Sequence, residues 1–263
     1  MAADPDDLAL ALELADIADS ITLERFRAKD LVVETKPDLT PVTEADTAVE
    51  QALRDRLAVA RPEDSVVGEE YGSSSAADSS RRWILDPIDG TKNYVSGVPV
   101  WATLVALQEG EEFTVGVASA PALARRWWAS RGAGAHMSDG LGPAPRGLGV
   151  SAVSELSEAQ LCFAGIEEWE EIGRLDALLK LARGCWRTRG FGDFWQYVLV
   201  AEGAVELALD PVVSLWDLAA PLVIVEEAGG RFTDFGGVAT PDGGDAVASN
   251  GRVHEAALAI IGR

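Results

Sequence analysis

The stretch Trp83-Ile84-Leu85-Asp86-Pro87-Ile88-Asp89-Gly90-Thr91 constrains this chain more than any other. An apolar strand delivers Asp86 at its end, and Pro87, which has no N–H, keeps the backbone from continuing regular pairing. Asp89 follows three residues on, and Gly90 permits a sharp turn. Gly90-Thr91-Lys92 then offer backbone N–H groups and a hydroxyl in the manner of a small anion nest or helix start. Two carboxylates beside such a nest suit a metal-assisted phosphoryl site, where hard oxygen ligands hold Mg²⁺ and N–H groups hold phosphate. Asp-Pro and Asp-Gly are also common turn dipeptides, so this segment alone is compatible with a plain tight loop.

Other acidic positions add to it. Val66-Val67-Gly68-Glu69-Glu70 is a strand running into a glycine and paired glutamates, and Leu215-Trp216-Asp217 places an aspartate at the start of an apolar helix. A helix N-cap explains Asp217 without any metal. Taken together, Glu69, Asp86, Asp89 and Asp217 carry four negative charges, enough to offset two divalent cations.

Over 263 residues, 43 acidic side chains face 22 basic ones, a formal charge of −21. Such an excess repels a nucleic-acid backbone or an anionic membrane, and admits an anionic substrate only through intervening cations. Cys162 and Cys185 are too few for a disulfide framework or a four-cysteine zinc site and are expected to be reduced thiols. The first residues are acidic where a secretion signal would be basic, and no apolar run approaches the roughly 18–20 residues of a membrane span. A soluble, cytoplasmic chain is the expectation.

Asp4-Pro5 begins a helix whose Leu10, Leu14, Ile17 and Ile21 recur at helical spacing toward Phe26. A second helix starts near Thr43, carries Val49, Leu53 and Leu57, and ends before Pro62. Short strands follow at 65–67, 83–85, 103–107 and 113–117, with a hairpin turn at Glu109-Gly110-Glu111. Gly72 to Ser80 is polar and small, a mobile loop by composition, and Gly132 to Gly149 is rich in Gly and Pro. Beyond it, strands at 159–164, 205–209, 231–235 and 246–248 alternate with helices at 168–182, 194–201, 215–228 and 253–261. A layered α/β or α+β sandwich in two lobes results. One domain spans 1–263, with lobes of about 1–145 and 146–263.

Gly68-Glu69-Glu70, the 83–91 stretch and Trp216-Asp217-Leu218-Ala219-Ala220 resemble, in order and separation, the three hallmark segments of the inositol monophosphatase superfamily. The resemblance implies an αβαβα sandwich and Mg²⁺-dependent hydrolysis of a small phosphate monoester, usually by a homodimer. It also implies that Glu69, Asp86 and the Ile88 carbonyl hold one Mg²⁺, and Asp86, Asp89 and Asp217 a second. Gly90 and Thr91 match the phosphate-binding positions, and Glu69 and Thr91 those that orient the attacking water. Val42-Thr43-Glu44-Ala45-Asp46 resembles the segment whose aspartate helps hold a third, weaker Mg²⁺, although Asp46 also suits a helix-dipole role. The two histidines, His136 and His254, lie far from these motifs and are expected at the surface or in loops.

Gly192-Asp193-Phe194-Trp195, followed by Leu199-Val200-Ala201-Glu202-Gly203, is similar to the histidinol-phosphate phosphatase branch of that superfamily. Asp193 and Asp210 would make the alcohol half of the pocket strongly negative, which suits an amine and an imidazole better than a neutral polyol. Asp193 could instead cap the helix before Phe194, and Arg189 could bind substrate or pair with Asp193. Phe194 and Trp195 could stack on the imidazole or belong to the core. An inositol-specific or broad monophosphatase is the alternative within the fold, and a catalytically silent metal-binding regulator the alternative outside catalysis.

Overall fold

The structure, a computed structural model, describes residues 4–36, 40–74, 79–142 and 144–262. Asp4 accepts the Asp6 N–H at 3.0 Å ahead of Pro5, and α1 (Pro5–Arg25) starts there. A two-stranded ribbon, β1 (Val33–Thr35) and β2 (Pro41–Thr43), leads into α2 (Glu44–Ala60). Its start is closed by a reciprocal box: Thr43 N–H donates to Asp46 Oδ2 at 2.8 Å, and Asp46 N–H donates back to Thr43 Oγ1 at 3.4 Å.

The first large sheet contains β3 (Ser65–Gly68), β4 (Gly72–Ser74), β5 (Arg81–Asp89), β6 (Ala102–Glu109), β7 (Glu112–Ala120), β8 (Arg125–Ser130), β9 (Gly134–Ser138) and β10 (Arg146–Gly147). Their spatial order is β10-β9-β8-β7-β6-β5-β3-β4, antiparallel except for β3 beside β5. The short α3 (Thr91–Val95) follows β5. After it come β11 (Gln160–Phe163), α4 (Ile166–Glu171), α5 (Leu175–Gly184), β12 (Arg187–Arg189), α6 (Asp193–Ala201), β13 (Leu207–Asp210), α7 (Leu215–Glu227), β14 (Arg231–Thr233), β15 (Ala246–Ser249) and α8 (His254–Ile261). The five later strands form a second sheet in the order β12-β11-β13-β15-β14.

Side-chain alternation builds the layers. On β5, Trp83 and Leu85 pack with Leu10 and Leu14 of α1 and Val49, Leu53 and Leu57 of α2, while Ile84 points the other way. That other face meets α6 and α7, which also cover Cys162, Ala208, Phe232 and Ala248 of the second sheet. Leu161, Leu207, Leu209 and Val247 face outward against Trp169, Leu178, Leu181, Ala257 and Ile261 from α4, α5 and α8. The result is the five-layered αβαβα sandwich. In its centre α7 is apolar around its circumference, because both sides of it are buried. Among the described residues, no helix is long and apolar enough to cross a membrane.

Several local expectations change. The helix expected over 168–182 is two helices, because Gly173 turns the chain at φ +70° between α4 and α5. Within the segment read as a loop over 72–80, Gly72–Ser74 pairs with β3, and residues 75–78 lie outside the described residues. The Gly-rich stretch after 132 contains β9 and β10. His254 is fully buried rather than at the surface, while His136 sits half-buried on β9, stacked on Trp128.

Candidate active site

The 83–91 segment behaves as its chemistry dictates. Pairing of β5 with β6 runs regularly to Asp86↔Leu104, breaks over Pro87 and Ile88, and resumes at Asp89↔Ala102. The bulge is held from below by Thr103 Oγ1, which donates to the Pro87 carbonyl at 2.7 Å. Gly90 follows at φ +84°, where a Cβ would lie 3.2 Å from the Val100 carbonyl and 3.3 Å from Asp193 Oδ2. A side chain there would be strained and crowded. Thr91 Oγ1 donates to the Ile88 carbonyl at 2.9 Å and lies 3.4 Å from Asp46 Oδ1.

Asp86, Asp89 and Asp217 converge, one oxygen of each within 4.8 Å of the others. Such a trio of carboxylates is able to hold a divalent cation. Burial, followed by the charges of Glu69, Asp89 and Asp217, holds the Asp86 carboxyl well above the usual carboxylate range. Burial with Asp193 and Asp217 does the same to Asp89. Asp217 is pushed up to about 7, chiefly by burial, although the Ser214 N–H at 2.8 Å opposes the shift. Asp217 is therefore the third helical residue of a capping box begun by Ser214, not the N-cap. Glu69 stands apart from this trio. It lines the adjoining cavity with Gly90, Thr91 and Asp217, and its Oε1 pairs with Lys36 Nζ at 2.6 Å. Burial lifts Asp46 to about 6 against the lowering effect of its Thr43 bonds.

Two cavities meet here, of about 250 Å³ and 390 Å³, and share Thr40, Lys92, Asp193 and Asp217. The larger is walled by Asp193, Asp210, Glu167, Glu168 and Tyr197. Asp210 ends β13 and accepts from Gln196 Nε2 at 3.3 Å and Tyr197 Oη at 3.4 Å. Burial, then Glu168, Asp217 and Asp193, raise it well above the usual range. Asp193 is lifted to about 6 by burial, with Lys92 pulling it back. It does not cap α6. At φ +48° it occupies the first turn and accepts from Asn93 Nδ2 at 3.0 Å. The cap is supplied by Asp89, whose Oδ2 takes the Phe194 N–H at 2.5 Å.

Other expectations for the substrate side shift as well. Arg189 is exposed on the edge strand β12, bonds the Thr188 carbonyl and lines neither cavity. Phe194 and Trp195 pack with Trp127 in the core, where Arg125 lies over the Trp195 ring. Glu167 and Glu168 are additions that the sequence reading missed. Their signal was available: Phe163-Ala164-Gly165-Ile166-Glu167-Glu168 repeats the pattern of a strand, a glycine and paired glutamates that singled out Glu69. Glu168 Oε2 is buried and has no hydrogen-bond partner.

Residues 5–262 match the sequence model of the inositol monophosphatase family. The chain belongs to that family. As a family member it is a phosphoric monoester hydrolase. It is 55% identical over 260 residues to a histidinol-phosphatase of Streptomyces coelicolor, covering 97% of each chain. Against a histidinol-phosphatase of Mycobacterium tuberculosis it is 55% identical over 253 residues, covering 96% of each. The solved structure of an inositol monophosphatase from Zymomonas mobilis matches this family member with a TM-score of 0.85, 31% identity and 99% coverage of each chain.

Proposed function

We propose that this phosphatase hydrolyses L-histidinol phosphate to L-histidinol and phosphate with Mg²⁺. The observation that carries the substrate is the join of the two cavities. One lies beside the converging aspartates and the Gly90–Thr91 turn, and the other is walled by Asp193, Asp210, Glu167 and Glu168. A phosphate ester of an amino alcohol presents an anion at one end and an ammonium at the other, which matches this polarity. The 55% identity to two histidinol-phosphatases supports the same choice.

The donor set fits magnesium. Its members are carboxylates and one carbonyl, the hard oxygens this ion takes. Asp86 Oδ1 is buried without a hydrogen-bond partner, an acceptor that a cation would satisfy. Glu69, Asp86 and the Ile88 carbonyl would hold one ion, Asp86, Asp89 and Asp217 a second, and Asp46 would contribute to a third. Bound Mg²⁺ neutralises phosphoryl oxygens, lowers the pKa of the attacking water and stabilises the departing alkoxide.

The chain's own groups do the positioning. Backbone N–H groups of Gly90 and Thr91 donate to the phosphoryl oxygens. Glu69 and Thr91 hold the water in line, so that its oxygen bonds phosphorus as the ester P–O bond breaks. As it bonds phosphorus the water gives up a proton, and the leaving oxygen takes one up and departs as the alcohol. Asp193, Asp210 and Glu168 accept hydrogen bonds from the ammonium and imidazole. The working assembly we propose is a two-lobed homodimer, as the family resemblance implies. A cytoplasmic setting accords with the free thiols Cys162 and Cys185.

Phosphate release with Mg²⁺ from histidinol phosphate and from inositol 1-phosphate tests the substrate. A kcat/KM at least tenfold higher for histidinol phosphate is expected, and a preference for the inositol ester overturns the choice. No release from either ester, with nothing for Asp86→Asn to abolish, would favour the silent regulator.

A further inference from the structure

Helix α2 buries two carboxylates one turn apart, Asp46 and Glu50, both with no exposed surface. Asp46 Oδ1 reaches Thr91 Oγ1 at 3.4 Å. Glu50 reaches the turn that follows β3. Its Oε2 accepts the Glu70 N–H at 2.7 Å, and its Oε1 accepts the Tyr71 N–H at 3.2 Å and Arg54 Nε at 2.7 Å. These are the two amides directly after Glu69, whose own N–H bonds the Leu85 carbonyl at 3.3 Å. The backbone of Glu69 is therefore fixed on both sides. Gly68 makes room for the arrangement, since a Cβ there would lie 2.1 Å from Glu50 Oε1.

A fully buried carboxylate is costly to desolvate and persists where it satisfies donors that would otherwise be stranded. We infer that Glu50 is a positioning residue. Through the Glu70 and Tyr71 amides it holds Glu69 at the spacing from Thr91 that metal and water require, so that α2 fixes both members of the pair. This rests on the proposed role of Glu69 as a metal ligand. Replacing one Glu50 oxygen by an amide NH₂ puts a donor against a backbone donor and releases the turn.

The test is direct titration of the full-length protein with Mn²⁺, read by calorimetry without substrate. Glu69→Gln, Glu50→Gln and the double variant are compared, with circular dichroism checking the fold. Glu69→Gln and Glu50→Gln should each weaken Mn²⁺ binding about tenfold or more. In the Glu69→Gln background, Glu50→Gln should add less than a twofold loss, because its effect passes through the missing ligand. Fully additive losses, or unchanged affinity in Glu50→Gln, overturn the inference. Unchanged affinity in Glu69→Gln removes the ligand role itself and is distinguishable from that result. Should Glu50→Gln fail to fold, Gly68→Ala displaces the same carboxylate and must give the same non-additive loss.

Discussion

At His254 the hydrogen-bond directions fix the tautomer. Thr233 Oγ1 donates to the Asp234 carbonyl at 2.8 Å, so it receives from His254 Nε2 at 2.9 Å. Ser249 Oγ accepts the Gly251 N–H and donates to Nδ1 at 2.8 Å. Burial, aided by Arg231, depresses the ring's pKa to about 4 from 6.5, which favours the neutral ring with its proton on Nε2 at neutral pH. Above pH 6.5 it is neutral folded and unfolded alike. Between pH 6.5 and 4 the unfolded chain takes up a proton that the native ring refuses, so stability falls as pH falls through that window. His254→Gln should flatten this part of a plot of Tm against pH, and an unchanged slope would assign the acid sensitivity elsewhere. At Asp86 the shift runs the other way, because burial and four neighbouring carboxylates, Glu69, Asp89, Asp217 and Asp46, oppose its charge. Asp86→Asn should lower kcat/KM roughly a hundredfold or more, yet leave the metal-free protein with an equal or higher Tm.

Among elements, β7 and α7 approach each other backbone to backbone. A Cβ on Gly116 would lie 2.5 Å from the Ala220 carbonyl and 3.1 Å from the Val223 Cβ. Gly116→Val should therefore cost about 1–3 kcal/mol through overpacking, read as a lower urea midpoint with unchanged slope. Sequence alone made the elements with a clean period and punctuation legible. Asp4-Pro5 opened α1, Thr43 opened α2, and Gly110-Glu111 separates β6 from β7. Failures fell where tertiary contacts decide. Nothing local in the Gly-rich run after 132 reveals that β9 finds a partner in β8, and helical spacing through Ile172 and Leu175 conceals the break at Gly173. The aspartate trio was legible because each member sits at a strand end or helix start. The exposed Arg189 and the Asp89 cap on α6 depend on how the second sheet docks, which spacing does not encode.

For the whole molecule, the −21 charge and the clustered carboxylates predict that divalent cations raise stability. Binding confined to the native state adds about 2.7 kcal/mol at a free concentration one hundred times Kd. For a chain of this size that is a rise in Tm of roughly 5–10 °C, and a chelator should reverse it. A melting curve indifferent to millimolar Mg²⁺ would count against the proposed ligands.

The central helix α7 also has a bearing on how the chain is made. The eight-stranded sheet is complete at Gly147, but the roof over its inner face starts with α6 at Asp193 and is finished only by α7, which begins at Leu215, about 70 residues after Gly147. At roughly 5–20 residues per second, a ribosome leaves the part of β6 and β7 that α7 covers open for about 3–14 s. Asp217 emerges on that same roof, so loading of the proposed metal site would wait for the nascent strand layer to be sealed. Translation order thus sets an interval in which the half-made polypeptide is adhesive and lacks one ligand of the proposed metal site, and a stall before Leu215 would prolong both conditions together.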